Sequence, residues 1–113
     1  MKTIFCDIDG TILKHVGALS KIGYDQEVLP GVLEKFDEWQ RRSYRIIITT
    51  ARPESMRSLT ENQLKNIGIA YHQLVMDLPT GPRYVINDNY PNGEIRAFGV
   101  PVVRNEGLEK VDI

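Results

Sequence analysis

A β-branched run, Ile46-Ile47-Ile48-Thr49-Thr50, lies between two stretches whose apolar residues recur every three to four positions. The run, opened by Arg45, predicts a strand. The stretch before it opens at Pro30-Gly31 and carries Val32, Leu33, Phe36 and Trp39 on one stripe. That spacing predicts a helix. Arg41 and Arg42 close it, where positive charge suits the helix dipole. The stretch after the run has Pro53 at a favoured first helical position, then Met56, Leu59, Gln63, Leu64 and Ile67, with Gly68 as the stop. Upstream, Thr3-Ile4-Phe5-Cys6 reads as a strand buried on both faces. Ile69–Val75, Tyr84-Val85-Ile86 and Val100–Val103 are expected as further short strands, the last at a sheet edge because Pro101 cannot donate to a ladder. Strands alternating with helices predict βαβ units. The expected fold is α/β, a Rossmann-like three-layer sandwich with a mainly parallel central sheet and right-handed crossovers.

At 113 residues the chain makes one small domain, residues 1–113, with 12–30 as an irregular loop or small hairpin. A chain of that length buries roughly two-thirds of its unfolded surface, enough for one core. Fourteen basic against fifteen acidic side chains leave a charge of −1, no footprint for nucleic acid or an anionic membrane. Cys6 is the single cysteine, which excludes an intrachain disulfide and a cysteine-rich zinc site. No apolar run approaches the ~20 residues of a membrane helix. Asp7 interrupts any signal-peptide pattern, so a cytoplasmic location is expected.

Ligands of open parallel sheets bind beyond the carboxyl ends of the strands. Here the first strand ends in Asp7 and Asp9, the second in Thr49 and Thr50, and the expected fourth in Asn87 and Asp88. Residues two apart on an extended chain face the same way, so Asp7 and Asp9 can share one space while Ile8 turns into the core. Carboxylates brought together repel, and a third from Asp88 adds to this. A hard divalent ion such as Mg²⁺ relieves the repulsion and still accepts phosphate oxygens. Gly10 allows a sharp turn and a close approach to ligand. A metal-bound aspartate can attack phosphorus, and a second can give and recover a proton. Thr50 offers a hydroxyl and a backbone N–H to a phosphate oxygen. A cation is still needed against the charge of the transferring group.

An apolar strand followed by Asp7-Ile8-Asp9-Gly10-Thr11 resembles the first motif of the haloacid dehalogenase-like (HAD) superfamily of phosphohydrolases. Ile46–Thr50 with Ala51-Arg52 resembles its second motif, and Tyr84–Asp88 its fourth. The resemblance implies a HAD-like fold and Mg²⁺-dependent hydrolysis of a small phosphorylated substrate, a sugar phosphate among the candidates. Asp7 would be nucleophile and metal ligand. Asp9 would be general acid/base, with its carbonyl on the metal. Asp88 would complete the metal site. Thr50 would hold the phosphate, with Gly10, Thr11 and Ala51 beside it.

Two departures from the family pattern stand out. The third-motif lysine is missing, since no lysine lies between Lys65 and Lys110, and Arg83 is the candidate replacement. Arginine clamps phosphate but does not shuttle protons. The second acid of the fourth motif is also missing, with Asn92 and Gly93 at its positions and Asn89 or Asn92 left to hold a metal-bound water. A catalytically weak or inactive phosphate-binding, regulatory protein is therefore the alternative to a phosphatase. About twenty residues separate the first motif from the first helix, room for a flap only. A capless member is expected, its open site closed by another subunit of a homo-oligomer or by a large substrate. Arg52 reads as a surface charge at a helix start, His15 as an exposed loop histidine, His72 as a residue without chemistry, and Cys6 as a small buried hydrophobe. A receiver domain is excluded because the mid-chain strand ends in threonines instead of a phosphoacceptor aspartate.

Overall fold

The computed structural model describes residues 1–23 and 26–113. Positions 24 and 25 of the expected flap lie outside the described residues. Three strands, β1 (Thr3–Asp7), β2 (Arg45–Thr49) and β3 (Gln73–Val75), pair in the order β1-β2-β3. Both pairings are parallel, with Asp7 opposite Thr49 and Thr49 opposite Val75. Helix α1 (Val32–Arg41) joins β1 to β2, and α2 (Arg57–Asn66), entered through a 3₁₀ turn at Glu54–Met56, joins β2 to β3. The chain is thus α/β with a parallel sheet, as its periodicity predicts.

Two successive crossovers of the usual right hand, running the same way along the sheet, put both helices on one face. Burial agrees. Ile4 and Cys6 of β1, Ile46 and Ile48 of β2 and Leu74 of β3 join Val32, Phe36, Trp39 and Leu64 in a single cluster. Phe36 and Trp39 pack at 5.2 Å between ring centroids. On the opposite face Phe5 is 57% exposed. The first strand is therefore buried on one face and not on both, because no helix of the described residues covers its other side.

The ends of the elements follow local chemistry. Gly31 takes φ 76° at the start of α1, and a Cβ there would sit 2.6 Å from the Glu109 backbone nitrogen. Gly68 follows α2 with φ 84°, donating to the Lys65 carbonyl while Ile69 donates to that of Leu64. Loop 12–30 closes through a bridge between Leu13 and Val28 and carries a 3₁₀ turn at Leu19–Lys21.

The expected fourth and fifth strands are not formed. Tyr84 is 88% and Ile86 95% exposed, and no ladder includes residues 100–103. Local contacts hold the intervening segment instead. Arg96 donates to the Asp88 carbonyl, pairs with the Asp88 carboxylate and lies over the Tyr90 ring at 4.9 Å, while Tyr90 donates to Glu94. The Asp88 carbonyl and the Tyr90 amide are thereby satisfied without a ladder. No helix of the described residues is long and apolar enough to cross a membrane.

Candidate active site

Strand β1 delivers Asp7 at its last position, and the chain turns at once. Ile8 is fully buried and its carbonyl accepts from the amides of Thr11, Ile12 and Leu13. Those bonds make the tight loop that carries Asp9, Gly10 and Thr11. Gly10 has φ 91°, and a Cβ there would press on the Arg104 side chain at 3.2 Å. Asp7 and Asp9 are both half-buried on either side of the fully buried Ile8, and the charge of Asp9 is felt at Asp7.

Their environments differ. Thr11 Oγ1 donates to Asp7 Oδ2 at 3.2 Å, and Arg83 Nη1 lies 3.7 Å from Asp7 Oδ1. Burial raises the Asp7 carboxyl above its usual range, and the Asp9 charge adds to this. The Arg83 charge and the hydrogen bonds from Thr11 and the Ile8 backbone offset only part of it. Burial also pushes Asp9 up. There the hydrogen bonds and charge of Arg52 prevail, helped by Gln26 and the His15 side chain, and hold Asp9 below the usual range.

Arg52 is the residue that sequence reasoning misplaced. It is 2% exposed, not a surface charge. Its Nε reaches Asp9 Oδ2 at 2.9 Å and its Nη2 reaches Asp9 Oδ1 at 2.8 Å. Its remaining donors bind Thr60 Oγ1 at 3.1 Å, Gln63 Oε1 at 2.8 Å and Gln26 Oε1 at 3.2 Å. All five guanidinium N–H groups are satisfied. The available signal was that Arg52 follows directly on the carboxyl end of the strand beside β1, where an acid just beyond β1 needs a cation. Gln26, in the loop, gave no signal.

Thr50 is buried beyond β2. Its N–H, expected to be free for phosphate, donates to the Val75 carbonyl at 2.9 Å and continues the ladder. Its Oγ1 accepts from the Arg52 amide at 3.0 Å, which leaves the hydroxyl proton to donate. The Ala51 amide has no partner among the described residues. The Gly10 amide is taken by Leu13. Asp88 is not brought to the pair. Its side chain is 78% exposed and held by Arg96, with Asn87 Nδ2 donating to it at 3.2 Å. Among the described residues no three carboxylate, histidine or cysteine groups gather as a metal cluster. The reason is topological, because residues 84–88 do not pair with β1. Asn92, with Asn89 one of the two expected holders of a bound water, accepts from the Glu94 amide instead.

His15 Nδ1 accepts from the Gly17 amide, and His72 Nδ1 from the Ile46 amide. Cys6 is buried, and its thiol is pushed up to about 12 by burial and then by the Asp7 charge. That suits an inert core residue.

A parallel sheet with two aspartates at the end of its first strand and a threonine just beyond its second defines a HAD-like phosphatase fold. The sequence profile of the PITM 1–3 LNS2 domain matches residues 4–83, and the chain belongs to that family. No curated protein matches the chain in sequence. Among solved structures it is similar to a chain of the Pnkp1/Rnl/Hen1 complex, with TM-score 0.59 and 23% identity over 74% of this chain and 30% of that one. It is similar to D,D-heptose 1,7-bisphosphate phosphatase from B. bronchiseptica complexed with magnesium and phosphate, with TM-score 0.52 and 20% identity over 73% of this chain and 52% of that one. A structure from Vibrio cholerae gives TM-score 0.57 and 17% identity over 77% of this chain and 80% of that one. At these identities the likeness is one of fold. The chain spans less than two-thirds of the first two.

Proposed function

We propose that the chain is a phosphomonoester hydrolase that works through an aspartyl-phosphate on a small phosphorylated metabolite, with Mg²⁺ at its site. The observation that carries this reading is the split environment of the two aspartates. Asp7 is a part-buried carboxylate whose nearest cation among the described residues, Arg83, stands 3.7 Å away, whereas Asp9 is fixed in orientation by a bidentate arginine and is free to carry a proton from one turnover to the next.

The donors fit a hard divalent ion. Asp7 supplies an under-neutralised carboxylate, and no N–H among the described residues donates to the Asp9 carbonyl. Mg²⁺ needs few protein ligands, because waters and substrate phosphate complete its shell. Held by these two groups, it would keep Asp7 ionised and offset charge on the phosphoryl group.

In the first step an Asp7 oxygen attacks phosphorus. The bond to the leaving oxygen breaks, and that oxygen takes a proton from Asp9. In the second, water attacks the aspartyl-phosphate, its proton passes to Asp9, and the electron pair of the broken bond returns to Asp7. The proton gained in the second step is the one given in the next first step. The Thr50 hydroxyl, the Ala51 amide and Arg83 are the donors for the phosphoryl oxygens. The heptose bisphosphate phosphatase, a fold relative crystallised with magnesium and phosphate, supports the choice of metal and of a sugar phosphate.

A second reading is favoured by one observation, the engagement of Asp88 by Arg96 instead of the site. It makes the chain a phosphate binder with little or no turnover. Purified protein, Mg²⁺ and a panel of phosphorylated metabolites decide between them. Phosphate release that is abolished in Asp7→Asn supports the hydrolase. Full activity in Asp7→Asn overturns the mechanism. Thermal stabilisation by inorganic phosphate without release of phosphate from any ester favours the binder.

A further inference from the structure

Gln26 belongs to the loop that leaves the first motif, yet its amide reaches the centre of the site. Nε2 donates to Asp9 Oδ1 at 3.0 Å and to the Lys14 carbonyl at 3.1 Å. Oε1 accepts from Gln63 Nε2 at 2.9 Å, from the Gly23 amide at 2.9 Å and from Arg52 Nη2 at 3.2 Å. Every polar atom of this side chain is engaged, and its partners come from the first motif, the loop itself, α2 and Arg52. A loop glutamine with no function would face water, where its amide is satisfied at no entropic cost.

The two oxygens of Asp9 are not equivalent in this network. Oδ1 accepts twice, from Arg52 and Gln26, whereas among the described residues Oδ2 accepts only from Arg52 Nε. The carboxylate plane is therefore fixed, and Oδ2 keeps an open lone pair. From this geometry we infer that Gln26 is a positioning residue. With Arg52 it orients Asp9 as the base that takes a proton from the water attacking the aspartyl-phosphate. The inference rests on the hydrolase reading above and adds to it a role for the loop. In the step concerned, the water oxygen bonds to phosphorus, the bond from phosphorus to the Asp7 oxygen breaks with its electron pair returning to Asp7, and the water proton goes to Asp9 Oδ2.

The test separates the two half-reactions. p-Nitrophenyl phosphate has a leaving group good enough to depart without an acid, so forming the phosphoenzyme does not need an oriented Asp9. Gln26→Ala and the near-isosteric Gln26→Met are mixed rapidly with this substrate and Mg²⁺. Steady-state turnover is expected to fall about tenfold in both, less than the roughly 10²–10⁴ that a whole acid–base group contributes, because Arg52 still holds Asp9. A burst of p-nitrophenol close to one per site is expected to remain, with phosphorylated Asp7 visible by mass spectrometry. A merely structural role would lower burst and steady state together, and Gln26→Met would restore both. That result, or unchanged steady-state turnover in both variants, overturns the inference while leaving the hydrolase reading intact. No p-nitrophenol release from the wild-type chain overturns both.

Discussion

Replacing Arg52 by methionine removes the cation from a site built around it. The side chain is almost wholly inaccessible, and Asp9, its partner, is only about one-fifth exposed. Arg52→Met leaves a part-buried carboxylate that has lost two charged hydrogen bonds and keeps only the Gln26 amide. It also takes the donor from Thr60 Oγ1, which is fully buried, and from Gln63 Oε1. Breaking a buried pair from one side costs about 3–5 kcal/mol. Gln63 and Gln26 are half-buried and recover water, so the low end of that range is the better expectation. Set against a total of about 5–15 kcal/mol for a folded domain, this is a large loss. With a urea slope of about 1–3 kcal/mol per M, the midpoint should fall by roughly 1–3 M.

The pH dependence gives the loss a signature. In the wild-type chain the Asp9 carboxyl lies below its unfolded value. It therefore adds stability above about pH 4, and that stability fades as pH falls through the lower folded value. In Arg52→Met burial dominates and raises the carboxyl, so ionised Asp9 becomes a penalty that protonation relieves. The gap between variant and wild type should be widest near pH 7 and shrink towards about pH 3. Urea melts at both pH values measure it. Adding Asp9→Asn to Arg52→Met should return part of the loss, because no charge is then left without its partner. A loss below about 1 kcal/mol at pH 7, or one that is equal at both pH values, would refute the reasoning.

Arg83→Ala should move the acid limb of the pH–rate profile to higher pH. Asp7 must be ionised to attack, and Arg83 is the cation that lowers its carboxyl. Arg83→Lys should restore most of the shift, and p-nitrophenyl phosphate hydrolysis across pH reads both variants. Gly31→Ala should destabilise the chain by about 1–3 kcal/mol, because φ 76° is strained for alanine and the new methyl would meet the Glu109 backbone. Thermal melting measures the loss, and limited proteolysis should show the tail around Glu109 freed before the sheet.

The first half of the fold is legible because each of its elements announces itself over consecutive residues. The apolar stripe of α1, the β-branched β2 and the Pro53 and Gly68 boundaries of α2 are local properties, and the structure reproduces all four to within a few residues. The segment from Tyr84 to Asp88 carries an equally apolar pattern and yet stays outside the sheet. Propensity describes a residue's fit to a pleated surface and not whether a partner edge receives it. Arg96, eight positions on from Asp88, claims that acid before β1 can.

The same division runs through the site. Sequence alone determined that Ile8, between Asp7 and Asp9, turns into the core, since neighbours on an extended chain face opposite ways. It determined too that Thr50 stands at the carboxyl end of the neighbouring strand, one residue past its last ladder position. Only the tertiary structure decided which cation answers which acid. Arg52 lies 43 positions from Asp9 and Gln26 lies 17 from it, and both look like solvent-facing side chains in their own neighbourhoods. Their burial follows from where two crossovers fold back over one face of the sheet. No window of consecutive residues encodes that distance.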